Sequence, residues 1–254
     1  MSKLFHWSEQ LLQSLRTWVV ICLLCLVVSW SSPAQAASRI TPQLEEQVLE
    51  IIREHPDVLI ESVQAYQQQQ QQKIKQAQQA FLQDLKINPQ AVIGESPSTG
   101  SAQSKTVLVE FSDFQCPYCA EANKTLKQLL AHQDNVKLIY KNLPLITIHS
   151  NALPAATAAW AANQQGKFWE YHDALFTNQK QLSEELYLDI AKNLNLDLAK
   201  FERDRTLATP AIGKDIQLAE KLGVSGTPFF IINNPGFSGV VQLSDIESIL
   251  ANAK

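Results

Sequence analysis

Val107-Leu108-Val109-Glu110-Phe111-Ser112-Asp113-Phe114-Gln115-Cys116-Pro117-Tyr118-Cys119 is the stretch on which the fold turns. Residues 107–111 form a short apolar, partly β-branched run, the pattern of a buried strand. Residues 117–132 follow as a helix, with Leu126, Leu129 and Leu130 on one face. Residues 136–140 read as a second strand. A strand, a helix and a strand in so short a span predict a parallel β-α-β unit with a right-handed crossover.

The two cysteines stand where that helix begins. Cys116 falls at its N-terminus, where unpaired backbone N–H groups and the macrodipole favour an anion. Such a site lowers a thiol pKa and yields a nucleophilic thiolate. Pro117 suits the first helical position, because its missing N–H would be unpaired there anyway. Cys119 lies one turn along on the same face, placed to resolve a mixed disulfide on Cys116. Other roles for the pair fare worse. A zinc site needs two further ligands, and His55, His132, His149 and His172 show no paired spacing, so no metal is expected. A purely structural disulfide would close too short a loop to stabilise much.

Downstream, residues 150–222 are almost all helical in pattern. Helices are expected over 151–165, 167–176, 183–193, 196–206 and 209–222. Ser183 followed by Glu184 and Glu185 is an N-cap with an acidic first turn. Pro210 fits a helix start and Gly223 a helix stop. His172 shares its helix with Phe168, Trp169 and Phe176 and reads as a packed or capping histidine; Trp160 and Trp169 read as core. Strands are expected at 229–232 and 240–241, with a closing helix over 243–253. Pro228 stands just before the first of these strands, and proline is the residue that adopts a cis peptide at modest cost. A cis Thr227–Pro228 bond would leave the backbone of Thr227 free to pair with an extended substrate segment. The plainer reading of Pro228 is a loop proline at a strand start.

Upstream, residues 1–36 read as an export signal. Lys3 and Arg16 precede an apolar stretch over 17–30, and Ala34-Gln35-Ala36 supplies a small-residue cleavage pattern. The stretch is shorter than the ~20 residues of a spanning helix; the alternative is an uncleaved membrane anchor. Cys22 and Cys25 lie inside it and count as small apolar residues. Residues 37–93 form a helical arm. Leu44, Val48, Ile51 and Ile52 recur at helical spacing, Pro56 separates two helices, and Pro89 ends the segment. The arm includes six consecutive glutamines, Gln67 to Gln72. Its stripe reads either as a packing appendage or as an oligomerisation surface over 40–87, since thin amphipathic helices cannot bury their faces alone. Gly, Pro and Ser between 94 and 104 read as a linker. The chain has 254 residues, 45% hydrophobic, with a net charge of −4 and no basic run. That excludes the electrostatic footprint of a nucleic-acid binder.

Together these pieces resemble the DsbA-like thioredoxin-fold oxidoreductases of bacterial envelopes. FSDFQCPYC at 111–119, GKFWEYHDALF at 166–176 and GVSGTPFFIIN at 223–233 carry the resemblance, which covers about 105–252. It implies an α/β, thioredoxin-like domain over 105–254, with a helical insertion at about 149–208, preceded by the arm. It also implies that Cys116 attacks, that Cys119 resolves through a Cys116–Cys119 disulfide, and that a cis Pro228 faces the pair. Glu110, on the strand before the motif, matches the family's proton-assisting acid. Thr227, Pro228, Pro117 and Tyr118 would border the substrate groove, with Asp113 shaping it.

For function, the resemblance implies a periplasmic or otherwise extracytoplasmic enzyme that needs no cofactor and acts on cysteine-bearing proteins. Oxidase is the leading reading, re-oxidised by a membrane partner of the DsbB or vitamin K epoxide reductase type. Pro-Tyr between the cysteines, Thr227 and the arm point to the alternative, an isomerase or reductase kept reduced by a membrane electron donor. A reading of another class is an envelope chaperone or peptide-binding module with vestigial cysteines.

Overall fold

The computed structural model describes residues 41–248 apart from 102, 105, 133–134, 235–236, 243 and 247. The export signal read over 1–36 lies outside the described residues. The chain divides into two units, one ending at Val63 and one beginning at Gln64.

In the first unit, α1 (Pro42–Glu54) starts at a Thr41 N-cap whose hydroxyl accepts the Leu44 N–H, and Pro42 takes the first helical position. The next helix, α2, runs over Pro56–Ile87 and continues unbroken through the glutamine run. Glutamine is a good helix former, so a polar run need not interrupt the periodic pattern. Leu44, Val48, Ile51, Ile52, Leu59 and Val63 are all exposed.

The second unit is built on a sheet of order β1-β3-β2-β4-β5. These are β1 (Ser98–Gly100), β2 (Thr106–Ser112), β3 (Val136–Asn142), β4 (Phe229–Asn234) and β5 (Phe237–Val241). β2 and β3 run parallel, with α4 (Pro117–His132) as the crossover, and the other three pairings are antiparallel. Every residue of β2 is buried, as its near-continuous apolar run requires. On one sheet face Leu108, Leu138, Phe230 and Ile232 pack on Ala122, Leu126 and Leu129 of α4. On the other, Val107, Val109, Phe111, Ile139 and Ile231 meet Ala219 and Leu222.

Between β3 and β4 lie α5 (Ala152–Asn163), α6 (Phe168–Thr177), α7 (Glu184–Asn193), α8 (Leu198–Leu207) and α9 (Thr209–Lys221). Seven alanines of α5 are buried, and small side chains of this kind let neighbouring helices approach closely. The Ser183 cap is the one the sequence suggests, its hydroxyl accepting the Leu186 N–H. Gly223 ends α9 at a φ of +71°, and a Cβ there would sit 2.8 Å from Ile74 Cγ2. Residues 244–246 and 248 are helical; the rest of the helix expected over 243–253 lies outside the described residues.

Two expectations change. The 94–104 stretch is not a bare linker: it carries β1, whose Ser98–Gly100 backbone pairs with Lys137–Ile139 of β3. This strand forms by backbone pairing at a sheet edge, without an apolar pattern to announce it. Gly100 is tied there, since a Cβ would lie 2.2 Å from the Val136 carbonyl oxygen. Nor does the arm stand apart as a segment ending at 93. Phe81 and Leu85 of α2, with Ile93 of α3 (Pro89–Ile93), are buried in the β2–β4 core, and Gln78 Nε2 donates to the Leu222 carbonyl at 2.8 Å.

Candidate active site

The site forms where β2 ends. Asp113 turns the chain out of the strand: its Oδ1 accepts the Gln115 N–H at 2.7 Å, and its carbonyl accepts the Cys116 N–H at 3.1 Å. Such Asx geometry lets a short loop reverse without glycine. Asp113 is buried, and its Oδ2 reaches out of the loop to the Leu145 N–H at 2.9 Å and to His149 Nδ1 at 2.8 Å. The Asn151 N–H donates to Gln115 Oε1 at 2.7 Å, and Gln179 Nε2 donates to the carbonyls of Phe114 and Cys116 at 2.8 and 2.9 Å. The motif loop is therefore gripped from the start and from the middle of the helical insert. His149 and Gln179 were missed from sequence.

Cys116 immediately precedes α4, and its carbonyl accepts the first helical N–H groups, those of Cys119 at 3.1 Å and Ala120 at 3.3 Å. Cys116 is 4% exposed and Cys119 not at all, and both are present as free thiols. Hydrogen bonding from the Cys119 thiol, then from Thr227 and the backbone N–H groups of Cys119 and Tyr118, lowers the Cys116 pKa to about 5 against a burial penalty. Cys119 moves the other way. Burial raises its pKa, and the hydrogen bond to Cys116 and the nearby Glu110 charge raise it further. One thiol is thus activated and the other held protonated.

The Thr227–Pro228 peptide is cis. It places the Thr227 carbonyl 3.4 Å from Cys116 Sγ, close enough to accept the thiol hydrogen. Tyr118 is 74% exposed beside the cysteines. Ile146 and Ile148 are also exposed, on the loop that Asp113 holds through Leu145 and His149.

Beneath Cys119, Glu110 sits opposite Tyr140 of β3 and Phe230 of β4. Burial pushes its carboxyl pKa from 4.5 up to about 7, partly offset by the Ser112 hydroxyl. His172 is buried among Phe114, Tyr140, Phe168, Trp169 and Phe176. Its Nδ1 meets Asp173 Oδ1 at 3.1 Å, and burial lowers its pKa toward the neutral ring. That is a core histidine, packed behind the site. Among the described residues no three His, Cys, Asp or Glu side chains are grouped to hold a metal ion.

A family model described as thioredoxin matches residues 93–252. A thioredoxin-like oxidoreductase from Silicibacter pomeroyi is 31% identical, over 66% of this chain and 98% of that one, with a TM-score of 0.57. The catalytic domain of Proteus mirabilis ScsC is 26% identical over 68% of this chain and 98% of its own, with a TM-score of 0.56. The thiol-disulfide exchange protein α-DsbA2 of Wolbachia pipientis is 24% identical, with a TM-score of 0.58, and shares the fold. The Na(+)/H(+) antiporter NhaA 1 of Salinispora arenicola is 36% identical over 157 residues, which are 61% of this chain and 24% of that protein. The chain thus spans about a quarter of the length of the curated relatives it matches. Among its described residues no helix is long and apolar enough to cross a membrane. The chain belongs to the thioredoxin family, with the DsbA-like, helix-inserted form of its fold.

Proposed function

We propose that this protein is an exported thiol–disulfide oxidoreductase that exchanges disulfides with cysteine-bearing proteins through Cys116 and Cys119. The observation that carries the reading is the asymmetry of the pair: Cys116 has its pKa lowered to about 5, chiefly by the hydrogen bond from the Cys119 thiol, while burial holds Cys119 protonated. In the oxidising direction a substrate thiolate attacks Cys116 Sγ of the Cys116–Cys119 disulfide. Cys119 leaves with the electron pair and is protonated. A second substrate thiolate then attacks the substrate sulfur of the mixed disulfide, and Cys116 leaves as the thiolate. Glu110, with a pKa near 7, is the acid and base for Cys119. The groove bordered by Pro117, Tyr118, Thr227 and Pro228 takes an extended segment by backbone pairing.

Oxidase is the favoured direction, because a thiolate stabilised at Cys116 favours the reduced form and makes the disulfide a strong oxidant. A membrane oxidase of the DsbB or vitamin K epoxide reductase type would restore the disulfide from the extracytoplasmic side. The isomerase or reductase reading rests on a different observation, the exposed apolar residues of 41–63; a homo-oligomer through 40–87 would cover them and bring several sites together. A chaperone reading draws on exposed Tyr118, Ile146 and Ile148.

The test is exchange with a reduced two-cysteine peptide, followed by mass. Disulfide-loaded protein should oxidise the reduced peptide, Cys119→Ala should trap a mixed disulfide when given the oxidised peptide instead, and Cys116→Ala should do neither. Exchange that persists in Cys116→Ala would sink the nucleophile assignment. Aggregation suppression without any exchange in the unaltered protein would leave the chaperone reading standing.

A further inference from the structure

Three polar atoms in the apolar floor of the site have no hydrogen-bond partner among the described residues: Glu110 Oε1, Ser112 Oγ and Tyr140 OH. All three residues are at most 2% exposed. Buried polar groups are nearly always paired, so three orphans side by side call for an explanation. The sheet puts them together. Glu110 and Ser112 are two apart on β2 and share a face, and Tyr140 is the direct register partner of Glu110. Ser112 is the common neighbour, its hydroxyl close to the Glu110 carboxyl, the Cys119 thiol and the Tyr140 phenol.

The groups facing this pocket from each packed element are few. α4 contributes Cys119 and, above it, Cys116; the loop after β2 contributes Asp113, whose carboxylate is already bound to Leu145, Gln115 and His149. β3 contributes Tyr140. α6 contributes His172, whose ring lies edge-on to Tyr140 at 5.2 Å and whose Nε2 is likewise without a partner among the described residues. Among the described residues no lysine or arginine faces the pocket, so an ionised Glu110 or Cys119 meets no cation there. What it can meet is a hydroxyl able to rotate. A rotor that is idle while both groups are neutral becomes satisfied when charge appears on either one.

We propose that Ser112 is the relay residue of the site, its hydroxyl passing the proton between the Cys119 thiol and the Glu110 carboxylate while the Tyr140 phenol orients it. This rests on the assignment of Cys116 and Cys119 made above. In resolution of a mixed disulfide, Cys119 S–H gives its proton to Ser112 Oγ as the Ser112 hydroxyl proton passes to Glu110 Oε1. The Cys119 sulfur then bonds to Cys116 Sγ, and the bond from Cys116 to the substrate sulfur breaks, that sulfur leaving as thiolate. In the opposite direction Cys119 leaves from the disulfide and Glu110 returns the proton by the same hydroxyl. No outside reagent is needed for either step.

The test uses the full chain, reduced and then mixed with oxidised glutathione. Two rates are read by acid quench and mass: loading of glutathione onto Cys116, measured in a Cys119→Ala background, and release of glutathione by Cys119. Release should rise with pH through about 7, as Glu110 becomes able to accept the proton. Ser112→Ala should slow release roughly tenfold or more at neutral pH and remove that rise, leaving loading unchanged. Ser112→Thr, which keeps the hydroxyl, should restore both rate and profile, and Tyr140→Phe should fall between. Release by Ser112→Ala at the unaltered rate and pH profile would overturn the relay, as would equal loss in Ser112→Ala and Ser112→Thr. If the unaltered protein never loads glutathione at Cys116, it is the functional reading that fails, and the relay with it.

Discussion

Replacing Glu110 with glutamine tests whether the floor of the site holds a carboxyl against its own solvation. Glu110 is 2% exposed, and its pKa rises from 4.5 to about 7, mainly through burial. Below 4.5 both the folded and the unfolded chain hold the proton, and the group contributes no pH dependence. Between 4.5 and about 7 the unfolded chain has released the proton while the folded chain still binds it. Stability therefore falls across that window as pH rises, by about 1.4 kcal/mol per pH unit at most. Above about 7 the loss is complete and constant, at about 3 kcal/mol in all. Glutamine keeps the shape and removes the titration. Cys116 titrates in an overlapping range with the opposite sign: its folded pKa is lowered to about 5, so its stabilisation is lost as pH falls. Both proteins should therefore be compared in a Cys116→Ser background. Urea unfolding at a series of pH values gives the difference directly. Glu110→Gln should gain about 3 kcal/mol on its parent between acid and mildly alkaline pH, whatever their offset at low pH. A difference that stays flat across that range would refute the reasoning, because it would mean Glu110 is solvated or paired in the folded protein.

Other expectations are separable from this one. Cys116 should titrate at about 5 in the reduced protein, seen as thiolate absorbance or alkylation rate, and Cys119→Ala should raise that midpoint because the largest stabilising hydrogen bond is gone. Asp113→Asn should cost about 2 to 4 kcal/mol in urea unfolding, since one carboxylate serves the Gln115 and Leu145 N–H groups and His149 Nδ1, and an amide offers only one acceptor. Leu85→Ala should cost about 2 to 5 kcal/mol, as for any fully buried leucine, whereas Leu59→Ala at an exposed position of the same helix should stay within about 0.5 kcal/mol in a monomeric sample.

The β-α-β unit was legible because its strand is apolar, its helix periodic and its cysteines sit at the junction; each signal is local. The helical insert was legible for the same reason, down to the Ser183 cap. What stayed hidden depends on contacts between distant stretches. β1 is three residues of Ser, Thr and Gly, held by backbone pairing that no side-chain pattern encodes. The stripe through Phe81 and Leu85 announced an amphipathic helix but not the sheet face it packs on. His149 and Gln179 clamp the motif from far along the chain, and nothing in their neighbourhoods distinguishes them from ordinary loop residues. Ser112 becomes meaningful only once the register sets Glu110 against Tyr140. Asp113 offered one usable hint, an acidic residue at a strand-to-helix turn, where Asx bonding is common.

The clamps on the motif loop divide its labour. Asp113, Gln115 and Gln179 fix the backbone from Asp113 to Cys116, while Pro117 and Tyr118 make no side-chain hydrogen bond among the described residues. The frame is thus independent of the dipeptide between the cysteines. On the proposed function, substitutions at 117 and 118 would retune how strongly the pair holds electrons without disturbing the scaffold that presents it.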